Sequence, residues 1–214
     1  MIRIAGNDPT LAHAIAKREV ATLDRSSARL FERLVKMSGK QAHAAIHKHY
    51  GDLLLHESIK RLNGSRQHAT WWVLDADEDT DDLVVAMILL RMEGDYRTWD
   101  AQRMGVSMSH HCVARVLQRT VGHDSVRAAG EMLAKHVTVA GNGLVTDMKV
   151  GDRYVTASKE GVLLWGAQPG ATAPCVIRAH TWIARHTAVD PALISLCAAA
   201  EQRGRTIGQH ARNA

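Results

Sequence analysis

The sequence predicts an α+β fold: N-terminal helices, then a mixed or antiparallel sheet with two helices packed on it, then a C-terminal helix. Three observations carry this expectation. Near the N-terminus, Leu11, Ile15, Val20, Leu23, Leu30, Leu34 and Val35 recur at roughly helical spacing. Later runs such as 70–74 and 83–90 are rich in β-branched, aromatic or aliphatic residues and are bounded by Gly-, Asn- or Asp-containing turns. Helical stripes and strand-like runs come in blocks rather than in strict alternation, which favours α+β over α/β.

The elements follow in order. Asp8-Pro9 opens the first helix, because aspartate can accept from free N–H groups and proline fits the first turn. Its recurrence continues to Met37, and Ser38-Gly39 interrupts it. A second helix is expected over 41–62, ended by the turn-forming Asn63-Gly64. Strands are expected at 70–74, 83–90 and 97–106, with the acidic stretch 75–82 joining the first two. A helix then spans 109–119, and His123-Asp124-Ser125 can cap another that reaches His136. Four β-like runs follow at 144–149, 154–158, 162–167 and 175–183, punctuated by Gly151-Asp152, Lys159-Glu160-Gly161 and Pro169-Gly170. Asp190-Pro191 opens a last helix ending near Arg203. The expected organisation is a helical extension (1–66), an α+β core carrying the site (67–204) and a loose polar tail (205–214).

Composition narrows the class. A chain of 214 residues with 46% hydrophobic content supports a folded core. Cys112, Cys175 and Cys197 form no CxxC pair, which suits free thiols in a reducing compartment. No secretory leader follows Met1, and the longest apolar run, 83–90, is too short for a membrane span. A soluble, cytoplasmic protein with no membrane contact is expected. Charge is divided unequally: residues 1–102 carry 14 Lys/Arg and 15 Asp/Glu, whereas residues 103–214 carry 13 and 7. The basic second half suits a polyanionic partner, RNA above all. Aromatics make up only 4% of the chain, so base-stacking platforms are poorly supplied.

The stretch with most chemical content is Ser109-His110-His111-Cys112-Val113-Ala114-Arg115-Val116-Leu117-Gln118-Arg119. At helical spacing His111, Arg115 and Arg119 share one face, and Val113, Val116 and Leu117 fall opposite. A neutral imidazole can take a proton and flanking guanidiniums can hold a phosphate. A solvated polar helix face is the competing explanation.

The Ser-x-His-x-x-x-Arg-x-x-x-Arg pattern of 109–119, a following helix, later strands and Ala179-His180-Thr181-Trp182-Ile183 together resemble the small α+β ribonuclease toxins related to RelE and to the colicin and EndoU nucleases. The resemblance covers roughly residues 100–190 and leaves the N-terminal part aside. Cys112 departs from the alanine usual after the motif histidine. The resemblance implies metal-independent RNA cleavage, in which a 2′-hydroxyl attacks the adjacent phosphate. It implies His111 as general base or acid, with Arg115 and Arg119 holding phosphate. Thr181 or His180, from a strand facing the helix, would donate to the scissile group. Ser109, His110 and Arg178 are the accompanying candidates for substrate binding.

Other groupings are weaker. His43 and His47 have the i, i+4 spacing that lets two imidazoles share a metal, and His49 and His56 lie nearby. HExxH is absent and no third ligand stands out, so no metal or cofactor is expected. Asp75, Asp77 and Asp79 match the start of a calcium loop, but Thr80 and Ala86 occupy the positions that need Gly and Glu. P-loop, dinucleotide-binding and serine-hydrolase motifs are absent. Trp71, Trp72, Trp99, Trp165 and Trp182 are explained by core packing.

The expected function is an endoribonuclease acting as a toxin or defence effector, with the N-terminal helices serving specificity, homo-oligomerisation or docking of an antitoxin or immunity protein. Two alternatives come from other classes. One is a non-catalytic nucleic-acid-binding regulator that uses the same basic helix as a phosphate clamp. The other is a partner-binding accessory or immunity protein that presents the acidic loop 75–82.

Overall fold

Alternation along the strands places every second side chain on one face of a single eight-stranded sheet, ordered β1-β2-β3-β4-β7-β6-β5-β8. The computed structural model describes residues 8–23, 27–61, 66–77, 80–93, 97–120, 125–140, 149–169, 176–203 and 207–211. Strands β1 (Leu54–Arg61), β2 (Arg66–Ala76), β3 (Leu83–Glu93) and β4 (Arg97–Met108) form an antiparallel meander. Strands β5 (Arg153–Ala157), β6 (Gly161–Gln168), β7 (Val176–Ala184) and β8 (Ile207–Ala211) form a second antiparallel block. The two blocks meet at a short parallel seam, where Ser107 and Met108 of β4 pair with Arg178 and Ala179 of β7. The fold is α+β, as the blocks of periodicity predict.

Three layers result. Helices α1 (Pro9–Ala21), α4 (His110–Arg119) and α5 (Val126–Ala140) cover one face. There Ala12, Ala16 and Val20, spaced four residues apart on α1, pack with Cys112, Val113, Val116, Met132 and Leu133. On the other face, α2 (Ser27–Leu34) and α3 (Gly39–Tyr50) lie over the β2–β3 side, where Leu34, Ala42, Ile46 and Tyr50 meet Trp71, Val73, Ile88 and Leu90. Helix α6 (Pro191–Arg203) covers the β5–β6 end of that same face through Cys197, Ala157 and Val162. Trp71, Trp165 and Trp182 are fully buried, so packing accounts for them. Cys112 and Cys197 are free and buried, and Cys175 lies outside the described residues. No helix among the described residues is long and apolar enough to cross a membrane.

The structure corrects four local expectations. The first stripe is two helices, α1 and α2, rather than one reaching Met37. The helix expected over 41–62 stops at Tyr50 because Gly51 takes φ +46°, and its N–H bonds back to His47 O. Residues 54–61 then pair with β2, so cross-strand pairing overrides the helix-compatible composition of Leu-Leu-His-Glu-Ser-Ile-Lys-Arg. The tail is not loose throughout: residues 207–211 form β8 by pairing with β5, whose edge offers free backbone groups. Of the run expected at 144–149, residues 144–148 lie outside the described residues and Lys149 belongs to no strand.

A buried polar network ties α5 to the second block. His136 Nδ1 lies 2.7 Å from Thr156 Oγ1, which also accepts from Trp165 Nε1 at 2.8 Å. Burial drives the His136 pKa down to about 3, so this imidazole is neutral in the folded protein. The unfolded chain binds a proton near pH 6.5 that the native state refuses. Stability therefore rises with pH between about 3 and 6.5 and falls on acidification, by up to about 1.4 kcal/mol per pH unit. Urea unfolding at pH 7, 6 and 5 measures this slope, which is expected to flatten in His136→Gln.

Gly161 opens β6 where its backbone passes close to the Trp182 indole and to the Ile183 carbonyl. A Cβ there would strike Ile183 O and sit 2.6 Å from Trp182 Cζ2. Gly161→Ala is expected to destabilise by about 1–3 kcal/mol through overpacking, read as a lowered denaturation midpoint.

Candidate functional site

Helix α4 begins directly at the parallel seam. Ser109 Oγ accepts from Cys112 N at 3.2 Å as the N-cap and donates to His180 O at 3.2 Å, while Ser109 N–H donates to Ala179 O. Ser109 thus fixes the phase of the helix against β7 and is not positioned as a substrate ligand. With Cys112, Val113, Val116 and Leu117 buried, His111 and Arg115 emerge along the edge that α1 flanks. Helix α1 is held there by its apolar stripe and by Glu19, whose carboxylate accepts from Val126 N at 3.0 Å and caps α5.

Between α1 and α4 lies a cavity of about 360 Å³. Thr10 and His13 line one wall, and His111, Arg115 and Gln118 line the other. The His111 pKa is lowered, first by burial, then by the Arg115 guanidinium and by His13. His110 sits deeper, its ring 6.2 Å from that of His13, and its pKa is also lowered by burial, against the opposing pull of Asp82. The groove therefore presents two imidazoles, His13 and His111, beside the permanent cation of Arg115. Such a set can accept a proton from a hydroxyl and hold an anion at the same point.

His13 is the residue that sequence reasoning missed. It belongs to no motif, and only the packing of α1 on α4 brings it to His111.

The remaining candidates do not converge with this pair. Arg119 lies two turns beyond His111, about 12 Å along the axis. It lines a separate hollow of about 530 Å³ with Lys159, Arg185 and His186. Thr181 pairs with Leu164, whose side chain packs with Val155 and Val162 on the α6 side of the sheet. Thr181 therefore points to the face opposite α4, because paired residues share a face. His180 turns the same way: its Nε2 lies where a Cβ on Gly166, the partner of Arg178, would fall. Ala179 remains on the α4 side, and the irregular register beside it carries both residues away from the helix.

Arg178 is engaged internally. Its Nη2 donates to Asp82 Oδ1 at 2.7 Å and its Nε lies 2.7 Å from Asp82 Oδ2. Arg103 Nη2 likewise donates to Asp75 Oδ2 at 2.9 Å. Asp75 and Asp82 are almost fully buried, so the two ends of the acidic stretch serve as internal counter-ions rather than as a docking surface. Both pairs lie near the β4–β7 seam, where Ser107 is also buried. Among the described residues, side chains grouped as metal ligands occur on the other face of the sheet, at His43, His47 and Glu57.

No family model, no curated protein and no solved structure matches this chain.

Proposed function

We propose that the chain is a metal-independent endoribonuclease whose active site is the α1–α4 groove. The observation that carries this reading is the pairing of His13 and His111 with Arg115 around one cavity. His111, whose pKa is lowered by burial and by Arg115, takes the proton of a ribose 2′-hydroxyl. The resulting oxygen attacks the adjacent phosphorus, and the 5′-oxygen leaves with a proton supplied by His13 as the general acid. The products are a 2′,3′-cyclic phosphate and a 5′-hydroxyl. Arg115 stabilises the charge that builds on the phosphoryl oxygens.

A second reading is favoured by the other hollow, where Arg119, Lys159 and Arg185 gather on the basic half of the chain. It could grip a phosphate backbone without cutting it, as a regulator would.

One experiment separates them. Labelled RNA is incubated with EDTA-treated protein over a pH series, and products are scored for cyclic phosphate ends. Cleavage that persists in EDTA and is lost in His13→Ala and Arg115→Ala supports the nuclease. Salt-sensitive binding without cleavage supports the regulator and retires the nuclease.

A further inference from the structure

We propose that His43, His47 and Glu57 form a binding site for a late first-row divalent cation of the zinc type. Two elements build it. The Ser38–Gln41 capping box fixes the start of α3, and Ala42, Ile46 and Tyr50 bury one edge of that helix against β2 and β3. His43 and His47, one turn apart, are thereby presented together at its rim, with ring centroids 4.3 Å apart. Strand β1 brings up Glu57, the register partner of Trp71, and the rings of His43 and Trp71 stand in a T-shaped arrangement with centroids 6.1 Å apart.

The polar atoms face one another. His43 Nε2 lies 2.8 Å from Glu57 Oε1, and His47 Nε2 lies 2.8 Å from Oε2. All three ligand atoms fall within 4.8 Å of one another. A tetrahedral zinc with bonds of about 2.0–2.1 Å requires its ligand atoms about 3.4 Å apart, a spacing that falls between the 2.8 Å contacts and the 4.8 Å span of the set.

The donor set decides the class of ion. Two imidazole nitrogens and one carboxylate oxygen suit zinc, nickel, cobalt or copper, whereas calcium and magnesium want oxygen ligands throughout. Two neutral ligands and one anion leave a fourth position for water. That position opens outward, since the histidine side chains are 43% and 41% exposed against 25% for Glu57. The site lies on the α3 side of the sheet and the α1–α4 groove on the other, so the two are chemically separate. Cleavage that survives EDTA is thus compatible with a metal held here.

The test uses untagged full-length protein stripped with EDTA and dialysed. Titration with zinc chloride is followed by calorimetry, and titration with cobalt chloride by visible absorption. One equivalent of each is expected, with cobalt showing the intense bands of four-coordinate geometry and zinc raising the Tm. Glu57→Gln is expected to weaken zinc binding at least tenfold. The double variant His43→Gln/His47→Gln is expected to abolish both the cobalt bands and the Tm rise. His56→Gln, a neighbouring exposed histidine outside the set, keeps wild-type affinity. Circular dichroism verifies folding, and if Glu57→Gln is unfolded, His47→Gln alone on the exposed rim carries the comparison. Absence of saturable one-to-one zinc binding by the wild type, or unchanged affinity in the double variant, overturns the proposal.

Discussion

Replacing His111 with alanine is expected to lower RNA cleavage by a factor of about 10²–10⁴, the contribution of one positioned acid–base group. Folding should survive, because His111 stands at an exposed edge of α4 while its neighbours Cys112 and Val113 hold the core. The pH profile adds a signature that lost packing would not give. Burial, Arg115 and His13 all lower the His111 pKa, so the acidic limb of kcat/KM should lie below pH 6.5. Arg115→Ala removes one of these influences. That limb should then move toward higher pH as cleavage slows, while Arg115→Lys keeps the charge and leaves it nearly in place. Arg119→Ala, by contrast, should weaken RNA binding with little effect on the chemical step, because Arg119 lines the separate hollow. A folded His111→Ala protein that cleaves at the wild-type rate would end the nuclease reading.

The largest stability effect is expected from Arg178→Ala, a loss of about 3–5 kcal/mol. The side chain of Asp82 is 2% exposed and that of Arg178 27%, so the pair is sheltered from solvent screening. Both guanidinium contacts disappear in the variant, and a buried carboxylate is left without its counter-charge. Replacing both members, as in Asp82→Asn/Arg178→Met, should cost much less, since no charge is then stranded. Urea denaturation of the two variants makes the comparison. Arg178 would be a substrate ligand after all if Arg178→Ala leaves stability unchanged and weakens RNA binding.

Much of the fold is legible from the chain itself. The strands 83–90 and 97–106 appear where expected and run two or three residues longer, because periodicity marks the middle of an element better than its ends. The hairpin of β5 and β6 at Lys159-Glu160-Gly161 follows from its turn residues. Helix α4 keeps its apolar stripe and its polar edge. Less is legible where the determining contact is distant. Residues 54–61 become a strand because β2 lies alongside, and residues 207–211 do so because β5 has a free edge.

The candidate site divides in the same way. His111 and Arg115 could be paired from spacing alone, because one turn of helix fixes their separation whatever surrounds it. Spacing carried Arg119 too far, since a stripe along a helix need not open into one cavity. Ser109 illustrates the other limit: its hydroxyl is occupied by the helix terminus and by the His180 carbonyl.

By itself, the sequence determined the α+β class, the basic second half, most strand positions and the amphipathic α4 that offers an imidazole and guanidiniums. These properties depend on residues close together in the chain, so local periodicity and charge suffice to specify them. Only the tertiary structure decided that His13 faces His111, that Glu57 meets His43 and His47, and that Thr181 looks away from both. Each is a meeting of segments far apart in sequence, fixed by how small side chains on α1, α3 and β7 let those elements settle onto one sheet, and packing of that kind leaves no periodic trace in the chain.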